Sequence, residues 1–98
     1  MIVEIVDLGV WGAASLLAEY DPCDDAIRVN ARAVEAVQRA LGAEEAERFT
    51  AVAIEHERYH RLHPHATEAR AHAHARAICG VDPVSYERAI RSVRDSHR

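Results

Sequence analysis

Lysine is absent from this 98-residue chain, and all twelve of its basic residues are arginines. None precedes Arg28, and sixteen acidic residues bring the formal net charge to -4. Nucleic-acid binding normally shows as a basic stripe or a strongly basic domain; neither is present, and no nucleic-acid partner is expected. Aromatic residues are scarce, with one Trp, one Phe and three Tyr, while nineteen alanines carry much of the 49% apolar content. The core must therefore be built largely from small side chains. Only two cysteines occur, Cys23 and Cys79, far apart and without a C-x-x-C partner. They make no disulfide framework, and reduced thiols in a cytoplasmic protein are the expectation. Long hydrophobic runs are missing too. Glu4 and Asp7 interrupt the apolar N-terminus, no Lys or Arg precedes it, and the stretch from Leu8 to Ala18 is too short to span a bilayer. Neither a signal peptide nor a membrane helix is expected. A chain of this length removes only about 60 to 65% of its unfolded surface on folding, so residues 1–98 read as a single domain whose core comes from a few elements packed together.

The elements follow from local pattern. Ile2 to Val6 is rich in β-branched residues and reads as a strand, Ala14 to Tyr20 as a second extended run, and Ala26 to Val29 as a third. Asp21 to Asp25 forms a polar connection of hairpin length. A small antiparallel sheet of about three strands is the expectation. Asn30 then caps a helix over Ala31 to Leu41 that Gly42 ends, and a second runs from Glu44 to Leu62 with Glu44, Glu45 and Glu47 near the positive end of its dipole. Pro64 stops it. Thr67 caps a third helix to Cys79, closed by Gly80, and Asp82-Pro83 opens a fourth to about Arg94. Strands first and about four helices afterwards is an α+β order.

Histidine is the residue in excess: six of the seven, His56, His60, His63, His65, His72 and His74, fall within nineteen positions. Residues 56 to 60 read His-Glu-Arg-Tyr-His, an H-E-x-x-H pattern inside a segment read as helical on other grounds. Four residues along a helix turn through about 400°, so His56 and His60 stand on one side, one turn apart, within reach of a single zinc ion. Phe49, Val52 and Ala53 share their stripe, which directs both imidazoles toward the protein body. Glu57 falls at the stripe's edge, placed to act as a general base without being a ligand. A catalytic zinc needs a third protein ligand. Glu68 and His72, one turn apart on the third helix, are the candidates, with His63 and His65 in the connection as further ones.

These features resemble the gluzincin metallopeptidases, in particular their minimal single-domain members. The residues that carry the resemblance are His56-Glu57-x-x-His60, then Glu68-Ala69-Arg70-Ala71 and Gly80-Val81-Asp82-Pro83, with Glu19-Tyr20-Asp21 and Ile27-x-Val29-Asn30 upstream. It covers roughly residues 14 to 90. It implies a zincin-like active-site helix, Zn2+ held by His56, His60 and Glu68, Glu57 as base and proton shuttle, and a peptide or protein substrate. It also implies that the backbone of Ala26, Ile27, Arg28, Val29 and Asn30 pairs with the extended substrate as an added strand. In many relatives an Asp stands four residues after the ligand Glu; here His72 occupies that place, as a neighbour of the site or as a rival ligand.

Three functions fit: a zinc peptidase, a non-catalytic or latent zinc-binding module of the same fold, and a metal-free interaction protein using Arg88, Arg91, Arg94 and Arg98. Tyr59 and Tyr86 are candidates for stabilising an oxyanion. Substrate identity and oligomeric state are not encoded in any motif.

Overall fold

Strands β1 (Ile2–Val6), β2 (Ala18–Asp21) and β3 (Ala26–Asn30) precede helices α1 (Ala31–Leu41), α2 (Ala43–Leu62) and α3 (Glu68–Cys79), and residues 86–91 are again helical. The structure, a computed structural model, describes residues 1–9, 17–81 and 86–91. The architecture is α+β, with the sheet at the N-terminus and the helices after it. The beginning of the expected second strand (14–16) and both ends of the expected fourth helix (82–85 and 92–94) lie outside the described residues.

The sheet order is β1-β3-β2. β2 and β3 form an antiparallel hairpin, with Ala18 opposite Val29 and Asp21 opposite Ala26. β1 instead runs parallel to β3, Ile2 facing Ala26 and Val6 facing Asn30. The sheet is therefore mixed where a purely antiparallel one was expected. The reason is chain length: residues 7–17 leave ample reach to cross the roughly 10 Å of two strand spacings, so the hairpin returns β3 into the gap beside β1.

A second expectation changes with it. Ala26, Ile27, Arg28, Val29 and Asn30 form the central strand, bonded on both sides. Their backbone groups are already paired, so this segment is not an edge that a substrate strand can join. Among the described residues, the edges are β1 and β2.

Local chemistry explains each element. In the β2–β3 turn, the Asp21 carboxylate accepts the Cys23 N–H at 2.9 Å, and Asp25 takes a positive φ of 49°, a conformation Asp tolerates better than most residues. Arg28 stands in register between Glu4 and Glu19 and reaches Glu4 (3.3 Å), Asp21 (3.0 Å) and Asp24 (2.9 Å). One guanidinium thereby relieves the repulsion among acids crowded on the sheet. Asn30 is fully buried; its side chain caps α1 at the Arg32 N–H, accepts the Leu8 N–H and donates to the Gly9 carbonyl. Gly42, with φ 97°, joins α1 to α2 through a backbone conformation that other residues rarely adopt.

α2 packs against β2, β3, α1 and α3. The core gathers Val29, Val37, Phe49, Val52, Tyr86 and Ile90, with alanines between the helices: Ala53 on α2, and Ala71 and Ala75, fully buried, on α3. Small side chains at such a crossing let helix axes approach closely. No helix among the described residues is long and apolar enough to cross a membrane.

Candidate metal centre

Two consecutive helices supply the site. α2 brings His56, Glu57 and His60; α3 opens with Glu68 and continues one turn later to His72. A tight reversal joins them. The His63 N–H closes α2 on the Tyr59 carbonyl (2.8 Å), the Ala66 N–H donates to the His63 carbonyl (2.9 Å), and the Thr67 hydroxyl accepts the Arg70 N–H (3.2 Å). Pro64 prevents α2 from continuing, and the Thr67 cap restarts the helix so that Glu68 faces back toward His60.

The three expected ligands meet. Nε2 of His56 lies 2.9 Å from Oε2 of Glu68, and Nε2 of His60 lies 2.8 Å from Oε1. The two Nε2 atoms are 3.2 Å apart. Ligand atoms about 2.1 Å from a tetrahedral zinc stand about 3.4 Å from one another; each observed spacing is a little shorter than such an edge, with the two imidazoles meeting different oxygens of the Glu68 carboxylate. Three electron-pair donors turned toward a common point repel unless a proton or a cation lies among them. Burial holds the His56 imidazole below its ordinary pKa, with Glu68 opposing the shift and His72 and His60 adding to it. It therefore favours the neutral form that metal ligation requires.

Glu57 is only 9% exposed. Sequence spacing put it at the edge of the apolar stripe, whereas the structure puts it on the stripe itself. The run Ala46, Phe49, Ala53, Glu57, at intervals of three, four and four, is the signal that shows this. Burial pushes its carboxyl up to about 7, Glu68 and Glu19 add to the rise, and His60 opposes it. Its Oε1 lies 4.0 Å from the His56 Nε2, beside the donor triangle rather than part of it.

His72 stacks edge-on against His56, with ring centroids 4.7 Å apart. One ligand atom each from His56, Glu68 and His72 lie within 4.8 Å of one another. Nδ1 of His72 is buried and has no hydrogen-bond partner among the described residues.

A cleft of about 170 Å³ opens on these groups, lined by Leu17, Ala18, Phe49, Val52, Ala53, His56, Glu57, Glu68, His72 and Glu87. It is smaller than the roughly 300–1,000 Å³ of typical ligand pockets.

Comparison with protein-family models, with curated proteins and with solved structures gives no match to this chain.

Several other candidates are placed elsewhere. His63 packs on Tyr59 (4.5 Å between centroids), His65 is exposed in the turn, and His74 also stacks on Tyr59 (4.9 Å) and faces Glu55. Tyr59 is thus engaged by histidines outside the cleft lining. Tyr86 is a core residue: its ring meets Phe49 at 5.3 Å, and its hydroxyl donates to Glu45. Neither tyrosine lines the cleft. Leu17, Ala18 and Glu87, which do, carried no sequence signal, because contacts between β2, α2 and the 86–91 helix are all distant in the chain.

Proposed function

We propose that the chain is a zinc-dependent peptidase in which His56, His60 and Glu68 hold the metal and Glu57 is the general base. The observation that carries this reading is the convergence of both Nε2 atoms and the Glu68 carboxylate, each imidazole nitrogen within 3.2 Å of the other and of a Glu68 oxygen, with His56, Glu68 and the buried Glu57 lining one cleft and His60 beside it. It accords with the likeness to minimal gluzincins. Zn2+ in such a site supplies Lewis-acid polarisation of the scissile carbonyl and acidifies water to a pKa of about 7.

The protein's own groups do the rest. The Glu57 carboxylate accepts the proton of the attacking water and returns it to the departing amine. Its burial fits the task, because a carboxylate withdrawn from bulk water is a stronger proton acceptor than an exposed one. The strand beside the cleft is β2, whose outer edge has no partner among the described residues. An extended peptide joins the protein there, in place of the β3 segment first considered.

The test is to expose the zinc-loaded chain, Glu57→Gln and His60→Ala to a peptide mixture and read cleavage by mass spectrometry alongside bound zinc. Wild type cleaves; Glu57→Gln binds zinc without cleaving; His60→Ala loses both. Cleavage by Glu57→Gln at the wild-type rate overturns the assignment of the base. A second reading, a zinc-holding module without hydrolysis, is favoured by one observation, the additional imidazole of His72 beside the donor set. Zinc uptake with no cleavage of any peptide supports it.

A further inference from the structure

His72 is the group that neither the three-ligand set nor the base uses. It lies on α3 one turn beyond Glu68, on the same helix face, with its ring against His56. An unpaired buried nitrogen costs free energy of about 1–3 kcal/mol, and native structures leave few such atoms without a reason. Here the orphan, Nδ1, belongs to a residue grouped with His56 and Glu68 within 4.8 Å. A metal bound among these residues gives the His72 imidazole the partner that the protein otherwise withholds.

We infer that His72 is a fourth, protein-supplied ligand that closes the metal site in the resting chain. The inference rests on the zinc reading above and deepens it. A tetrahedral ion with three protein ligands keeps one position for solvent or substrate, whereas four protein ligands fill the shell and make a structural site. His72 thus decides between the two. An exogenous donor must displace its imidazole to reach the metal, and bidentate oxygen donors, which gain two bonds for the one they break, are the chemical class suited to do so.

Cobalt(II), whose visible absorption reports coordination number, is the probe. The 98-residue chain, His72→Ala and His72→Gln are loaded with Co2+, their folds are checked by circular dichroism, and each is titrated with acetohydroxamate. The wild-type spectrum resists change by acetohydroxamate. Both variants bind acetohydroxamate at least about tenfold more tightly and hold cobalt about tenfold less tightly, in line with loss of one ligand's support. Cobalt uptake with the same acetohydroxamate affinity in all three proteins overturns the role of His72 and leaves the three-ligand site standing. Failure of the folded wild-type chain to take up cobalt overturns the metal site itself, and the inference with it. The glutamine variant guards against an artefact of the cavity that alanine leaves on α3.

Discussion

The Nε2 atom of His60, on α2, lies 2.8 Å from Oε1 of Glu68 at the start of α3. A single carboxylate, reached after a turn of only five residues, thereby touches both histidines of the preceding helix. The Glu68 side chain is 71% exposed, and exposed ion pairs contribute about 0–1 kcal/mol to stability. Its contacts with the two histidines therefore add little to stability on their own. Glu68→Ala is expected to shift the metal-free unfolding free energy by less than about 0.5 kcal/mol while weakening zinc affinity by a factor of about ten to a hundred or more. Denaturant titration and competition with a chelator read the two quantities separately.

Glu57→Gln separates the same two properties in the opposite sense. The folded carboxyl is raised from 4.5 to about 7 by burial, so between those values the native state binds more protons than the unfolded state. Stability in the wild type therefore falls as pH rises from about 4.5 to about 7 and levels off above it. Without metal, Glu57→Gln is expected to match wild type near pH 4 and to exceed it by something on the order of 2 kcal/mol at pH 8. With zinc, if the chain is the peptidase proposed above, the same variant is expected to lose peptide hydrolysis by at least about a hundredfold. Chemical denaturation at the two pH values, in chelator, checks the first expectation.

The hairpin gives a pH dependence of the other sign. Asp25 is clamped by Arg61 from α2, at 2.7 and 3.2 Å, and by the Tyr20 hydroxyl at 2.8 Å. The Arg61 guanidinium, seconded by Tyr20, holds its carboxyl down at about 2 against an ordinary 3.8. Stability from this clamp is present above the ordinary value and is lost as pH falls from about 4 toward about 2. Asp25→Asn keeps a residue that tolerates the positive φ and removes the charge. It is expected to show a smaller loss of stability between pH 4 and pH 2 than wild type, read from denaturation midpoints at each pH.

Asn30 ties the sheet to the helices. It serves the Arg32 N–H as helix cap, the Leu8 N–H and the Gly9 carbonyl from a fully buried position. Asn30→Ala loses the cap and leaves the part-buried Leu8 N–H and Gly9 carbonyl without this partner. A loss of about 2 kcal/mol or more is expected in equilibrium unfolding, with zinc affinity unchanged once the variant is folded.

Much of this was legible in the residues because it is local. Asn30 and Gly42 mark the ends of α1, Thr67 and Gly80 those of α3, and a four-residue spacing fixes the side of α2 on which His56 and His60 stand. Glu68 was one of several candidates, and the turn geometry around Pro64 brings it, rather than His63, onto the histidines. What the residues did not reveal is non-local. Nothing in Ile2–Val6 or Ala26–Asn30 states that the two strands run parallel side by side, and that pairing moves the free edge from β3 to β2. Burial of Glu57 was within reach, since its spacing from Phe49 and Ala53 places it on the core stripe. The placing of Leu17, Ala18 and Glu87 around the cleft depends on how sheet and helices pack, which no short motif carries.

Zinc stoichiometry and ligation tested together bear on the central claim. The purified 98-residue chain is equilibrated with Zn2+, freed of excess metal, and measured by elemental analysis and X-ray absorption at the zinc edge. One zinc per chain is expected, with only nitrogen and oxygen neighbours at about 2.0 to 2.2 Å and imidazole scattering, and with the signal lost in His60→Ala. A folded chain that retains no zinc, or retains it equally well in His60→Ala, contradicts the metal centre described above.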